Sequence, residues 1–316
     1  MKAHILSITL NPTVDFATSA PEVSAGPKLR CGEPQIDPGG GGINVSRAIR
    51  ILGGQSVALI AIGGATGAHL LQLLAREGVA TVAFQGPGET RQSVTVTDTS
   101  TGGQYRFVMP GPSWQEEDVP RALNTVDQAT GEGTLVVLSG SQPPGVAKEF
   151  PSILASHIAG RGARIIVDTS GPALFDLVEK PREAIHTLRM NGEECEELAG
   201  APHPTPADTA QFAESLVAKG VAGHEIVARG ADGSVLATAD GSWHATGAKV
   251  EIVSKVGAGD SFVGAWTLAL AREWPVEDCL RFGVAAASAA CNSEGTLLCE
   301  RQLTEKLMNG CSINRL

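Results

Sequence analysis

A chain of 316 residues with 42% hydrophobic and 18% charged side chains can bury a substantial core, as one large domain or two smaller ones. Its formal net charge of −10 argues against nucleic acid as the main partner, since phosphate backbones demand basic surface. No segment reaches the uninterrupted apolar length that crosses a bilayer, and six scattered cysteines without a C-x-x-C pair argue against a disulfide framework or a zinc site, so a cytoplasmic protein is expected.

In chain order, MKAHILSITLNP reads as a first strand with no signal peptide. Residues 11–36 then break into proline, glycine and short β-like pieces. Asp15, in LNPTVDFA, falls just after the first strand, where open parallel sheets bind ligands. A carboxylate there can clasp two neighbouring sugar hydroxyls, or it can be a turn residue bonded to its own backbone. Lys28 and Arg30 follow in GPKLRC, and then the tetraglycine of DPGGGGINVSRAIR, residues 37–50, launches a helix. Gly40 and Gly41 lie in that turn, and the Asn44 amide after it can both donate and accept. No G-x-x-x-x-G-K-[ST] occurs and no G-x-G-x-x-G supports a dinucleotide fingerprint.

SVALIAIGG and AHLLQLLAREG read as strand and helix, whereas SVTVTDTSTGGQYRFVM, residues 93–109, alternates polar and apolar around two glycines as a hairpin does. Such a hairpin does not fit a helix-covered sheet. The segments at about 11–36 and 89–110 are therefore placed together as a small β lid, which also carries Arg91 and Arg106. Singly, these cations are ordinary solvated residues; collected on one flap with Lys28 and Arg30 they favour an anionic ligand. TLVVLSG, VAKEFPSILASHIAG, ARIIVDTSG, GPALFDLVEK and IHTLRMN with GEECEELAG continue the alternation of apolar strand and helix. That pattern predicts a mostly parallel sheet covered on both faces.

NGEECEELAG crowds carboxylates at a helix start after Asn191. Glu194 could hold Mg²⁺ through water, though acidic residues in a first helical turn are common for dipole reasons alone. VARGADGSVL sets Gly230 and Gly233 between two strands, as a nucleotide turn or an ordinary hairpin would. Helices are expected to start near Ala258, Val276 and Arg301. The first follows VGAGDSFVGAW, which places Gly257, Ala258 and Gly259 ahead of Asp260. Unpaired amides at a helix start attract anions, so a phosphate cradle with a base beside it is one reading and a plain N-cap the other. The seven histidines show no metal spacing.

In this order and nearly end to end, these motifs resemble the ribokinase-like PfkB family of carbohydrate kinases. LNPTVDFA, GPKLRC, TRQ, QYRFVMPG, SGSQPPGV, DTSG and RFGVAAASAA are most similar to the branch that phosphorylates fructose 6-phosphate with ATP to the 1,6-bisphosphate. The resemblance implies a single kinase domain over residues 1–316, a three-layer α/β sandwich plus the lid. It implies Asp260 as general base, with Gly257, Ala258 and Gly259 as the anion hole. Asp15, Gly40, Gly41 and Asn44 would hold sugar hydroxyls, Lys28, Arg30 and Arg91 the acceptor's phosphate, and Ser139 and Ser141 would line the sugar pocket. Arg189, Asn191, Gly230 and Gly233 would meet ATP, Glu194 would stand near Mg²⁺, and a monovalent cation such as K⁺ would sit near Asn292 and Gly295.

Departures and alternatives are specific. Relatives usually read lysine-proline-asparagine where this chain has Arg189-Met190-Asn191, and serine where Ala228 stands, which bears on ATP affinity more than on reaction type. Relatives acting on fructose 1-phosphate or tagatose 6-phosphate commonly carry lysine at Gly41. Those two activities, a neutral-sugar or nucleoside kinase, and a non-catalytic sugar-phosphate sensor are the competing readings. A sensor would be marked by loss of the aspartate or its glycines, and both are present. A homodimer closing lid against lid is expected.

Overall fold

The computed structural model describes residues 4–26, 28–182, 185–293 and 297–316. In chain order the elements are β1 (Ile5–Thr9), β2 (Thr13–Ala20), β3 (Gln35–Gly39), α1 (Gly41–Ile51), β4 (Val57–Ile62), α2 (Gly64–Arg76), β5 (Ala80–Gln85), β6 (Arg91–Asp98) and β7 (Gln104–Val108). There follow α3 (Asp118–Ala129), β8 (Leu135–Ser139), α4 (Phe150–Ala159), β9 (Arg164–Asp168), α5 (Pro172–Glu179), β10 (Ile185–Asn191), α6 (Gly192–Ala199) and α7 (Pro206–Ala218). The last are β11 (Ala222–Ala228), β12 (Ser234–Thr238), β13 (Gly241–Thr246), α8 (Ala258–Ala271), α9 (Val276–Cys291), α10 (Arg301–Gly310) and β14 (Ser312–Arg315).

Ten strands form the main sheet in the order β14-β13-β12-β11-β10-β9-β8-β1-β4-β5. From β5 to β11 every pairing is parallel, and β12, β13 and β14 add an antiparallel edge. Apolar runs such as RIIVD serve two faces at once. Ile165 and Val167 enter a core shared with Val126, Leu154, Leu174 and Leu216 of α3, α4, α5 and α7. Ile166 points the other way, into the core of Ile49, Phe262, Trp266 and Leu280 from α1, α8 and α9. Helices on both faces make the three layers, because a strand with no polar side must be covered twice. No described helix is long and apolar enough to cross a membrane.

The second sheet has the order β3-β2-β6-β7, with β2 and β6 parallel and the outer pairs antiparallel. Val14, Phe16 and Ile36 of its inner face pack with Leu70 and Leu74 of α2. Both expected lid segments contribute, but β3 runs on to Gly39, so the lid leads straight into the glycine turn without a hinge loop. Asp15 is correspondingly not in a turn after the first strand. It lies in the middle of β2, opposite Asp37 on one side and Ser93 on the other.

Candidate active site

Parallel strands all point their carboxyl ends to one edge of the sheet, and the helices that follow begin there. The α1 and α8 starts converge at this edge, and neither has a side-chain cap. The first amides to find intrahelical carbonyls are those of Asn44, on Gly40, and Ser261, on Gly257. Those ahead of them are the unpaired donors that every helix start leaves. Gly257 holds φ +74°, a left-handed turn that suits glycine and lets the loop enter α8 abruptly.

Asp260 sits in the first turn of α8, where Asn44 Nδ2 donates to its Oδ2 at 2.9 Å. Burial pushes its carboxyl up to about 6. The Asn44 donor opposes that rise, Asp168 adds to it, and Arg189 and Arg47 oppose it. A series of close approaches then runs round the mouth. Gly39 lies so close to Asp15 that a Cβ there would fall inside the carboxylate. At Gly41 a Cβ would stand 2.5 Å from Ser139 Oγ and 2.6 Å from the Gly140 nitrogen, so the turn is pressed against the end of β8. Ser139 Oγ reaches Asp168 Oδ2 at 3.5 Å, and Arg189 Nη1 meets Asp168 Oδ1 at 2.9 Å. Arg189 lies beside Gly259, 3.2 Å from where a Cβ would be, and 5.7 Å over the Phe262 ring. Burial alone would lower the Arg189 guanidinium, but facing Asp168, with Asp260 and Glu194 near, it is held above its ordinary value.

Asp15 is also raised, by burial first, against the pull of Thr13, Arg91 and Ser93. Arg91 spans from the lid to the Asn11 carbonyl, at 3.2 Å from Nη2, and to the Met109 carbonyl at 3.4 Å. Asn191 and Glu194 bond to each other in a capping box: Glu194 N–H donates to Asn191 Oδ1 at 2.9 Å, and Asn191 N–H to Glu194 Oε2 at 2.8 Å. Burial raises Glu194 despite that second bond. The N-x-x-E element therefore shapes a helix start, with Glu194 Oε2 as the accepting oxygen. Gly230 and Gly233 flank a single 3₁₀ turn after β11, next to the Asn191 end of β10.

The remaining expected residues are less closely tied. Lys28, Arg30 and Ser141 are exposed and make no hydrogen bond or ion pair among the described residues. Asn292 Nδ2 donates to the Glu251 carbonyl at 3.2 Å, while Gly295 lies outside the described residues. Asp168 and Arg47, two charged residues near Asp260, carry no role from the sequence. Asp168 ends the apolar run RIIVD and so announces itself as a carboxylate at a strand's carboxyl end. Arg47 is only 7% exposed on the apolar face of α1, an anomaly for an arginine that a helical plot would reveal.

Comparison with known proteins shows what the chain as a whole is similar to. The family described as pfkB family carbohydrate kinase matches residues 5–303. The chain is 40% identical over 304 residues, 96% of its length and 97% of the relative's, to the ATP-dependent 6-phosphofructokinase isozyme 2 of Escherichia coli. It is 31% identical, over 99% of its length and 100% of the relative's, to a 1-phosphofructokinase of Bacillus subtilis. Crystal structures of the E. coli phosphofructokinase-2 superpose with TM-scores of 0.92 for the complex with potassium and 0.90 for that with fructose-6-phosphate. In both, 98% of this chain and 99% of the other are covered, at 39% and 38% identity. A tetrameric inhibited form of the same protein matches at TM-score 0.90, with 39% identity and the same coverage. The chain belongs to the pfkB family of carbohydrate kinases, enzymes that transfer a phosphoryl group to an alcohol.

Proposed function

We propose that this chain is a single-domain, ATP-dependent kinase that phosphorylates fructose 6-phosphate on its 1-hydroxyl. The observation that carries the reading is Asp260, fixed by Asn44 among the uncapped amides where α1 and α8 begin. In the reaction the hydroxyl oxygen attacks the γ-phosphorus, the bond from that phosphorus to the bridging oxygen breaks, and the hydroxyl proton passes to Asp260. A carboxyl near 6 suits this task, since at neutral pH it is mostly ionised yet still basic enough to accept a proton. The Gly257, Ala258 and Gly259 amides and the Arg189 guanidinium stabilise the charge spread over the transferring oxygens.

Asp15, Gly40, Gly41 and Asn44 take the sugar hydroxyls beside Ser139 and Ser141. Lys28, Arg30 and Arg91 take the far phosphate, which one helix terminus, at about 0.3–2 kcal/mol, would not hold unaided. Asn191, Gly230 and Gly233 border the nucleotide. No group of three or more His, Cys, Asp or Glu able to hold a metal occurs among the described residues. That suits Mg²⁺ arriving on the nucleotide with much of its water, Glu194 making the outer contact. When bound it neutralises phosphate charge. The potassium in the E. coli complex supports a monovalent cation for this chain as well, and our reading puts it near Asn292.

The lid supports a homo-oligomer. β7 is an edge strand whose Phe107 and Val108 are 54% and 61% exposed, the kind of row that a second copy covers. Six free cysteines support a cytoplasmic setting. Among the alternatives, fructose 1-phosphate and tagatose 6-phosphate fit less well, because the lysine common in those relatives has no room at Gly41 without moving the β8 end. A panel of fructose 6-phosphate, fructose 1-phosphate, tagatose 6-phosphate and fructose with Mg²⁺-ATP, read by ADP release, tests the proposal. The expected result is a kcat/KM for fructose 6-phosphate at least about tenfold above the rest. Preference for another ester would replace the substrate, and binding without turnover would leave a sensor.

A further inference from the structure

Asn44 is bonded at both ends of its amide. Nδ2 donates to Asp260, while Oδ1 accepts from Arg47 Nη1 at 3.2 Å. A guanidinium carries only donors, so it can meet only the oxygen end, and its position decides which end turns to Asp260. Arg47 is itself fixed from several sides. Nε and Nη2 form a fork onto Glu77, at 2.6 and 2.8 Å, Nη1 also donates to the Pro38 carbonyl at 3.1 Å, and Asp37 lies 3.9 Å from Nη2. Such a bidentate pair is geometrically specific.

We propose that Arg47 is a positioning residue of the phosphoryl transfer: it locks the Asn44 amide with nitrogen toward Asp260, which keeps a donor on the carboxylate and fixes its direction. The inference rests on the reading of Asp260 as proton acceptor. In the reversed amide, Oδ1 would face Oδ2, two acceptors with no proton between them. The charged groups around Asp260 are Asp168, Arg189 and Arg47. The field of Arg47 is offset by the carboxylates of Glu77 and Asp37 on its far side. Arg47 therefore acts on Asp260 both by its own, partly offset charge and through the amide it orients, whose bond opposes the rise that burial causes.

The test compares the wild type with Arg47→Met and Arg47→Lys in kcat and in KM for both substrates from about pH 5 to about pH 9. The Asp260 carboxyl is titrated in parallel by ¹³C NMR, with Asp260→Asn assigning its resonance. Arg47→Met is expected to lower kcat at neutral pH by about ten- to a hundredfold, with little change in KM for ATP. The acid limb of the rate profile and the carboxyl titration should both move up by about one unit, and lysine should restore part of the loss. A flat loss at every pH with an unmoved titration would overturn the proposal. Should the methionine variant fail to fold, Arg47→Lys, which keeps the charge but loses the fork, must by itself leave kcat below that of the wild type, and full wild-type turnover would sink it. If the wild type phosphorylates no sugar ester, the function assigned above fails, while the titration still decides the role of Arg47.

Discussion

The mouth of the main sheet and the lid beside it solve different problems with the same residue types. At the mouth every charge has a partner: Asp260 has Asn44, Arg189 has Asp168, and Arg47 has Glu77. On the lid, Lys28 and Arg30 stand exposed with no bond among the described residues, and Arg91 is lightly tied to two carbonyls. Groups that stabilise a transition state act best when already aimed, since reorganising them during reaction costs rate. Groups that capture a mobile phosphate gain from being free to close on it. The mouth is therefore expected to govern kcat, and the lid KM.

The largest expected effect is at the mouth. Asp260→Asn should lower kcat by on the order of 10²–10⁴ with circular dichroism unchanged, and near-normal turnover would erase the contrast with the lid. On the lid, Arg91→Ala should raise KM for fructose 6-phosphate by about 10- to 100-fold, the worth of one charge-assisted contact, and leave KM for ATP nearly constant. Equal effects on both substrates would place Arg91 elsewhere. Phe107→Asp puts a charge on the open β7 edge; sedimentation velocity should then show a smaller assembly than wild type, and an unchanged one would move the interface off the lid.

A smaller effect concerns a residue in neither region. Glu225 is fully buried in β11 with no hydrogen-bond partner on either oxygen among the described residues, and burial pushes its carboxyl well above 4.5. An acid raised on folding is stabilised in its neutral form, so its ionisation penalises the fold above the folded pKa and not below the unfolded one. Glu225→Met should therefore raise Tm by about 2–4 °C or more in mildly alkaline buffer, the gain shrinking as pH falls toward 4.5. A loss of stability would mean that Glu225 has a partner.

What the sequence made legible was local. The two glycine turns, Asp260, and the starts of α8, α9 and α10 at Ala258, Val276 and Arg301 depend on neighbours a few residues away, and all lie where expected. Asp168 and Arg47 gain their meaning from partners 21 and 30 residues distant, Arg189 and Glu77, which periodicity does not register. The outer two strands of the antiparallel edge were equally silent, since GSWHAT and SINR become strands only by pairing with β12 and with each other. The α7 start was readable in principle, because Thr205 and Asp208 form a capping box there, a polar signal that a search for apolar runs passes over.

The meeting of the α1 and α8 starts has one more consequence. In a molecule with ten excess negative charges, anions approach this spot against the general field. The welcome there is made in part of peptide dipoles, which neither titrate nor mutate with a side chain. Amino-acid replacement can spoil the aim of this pocket, but its appetite for negative groups is written into the backbone.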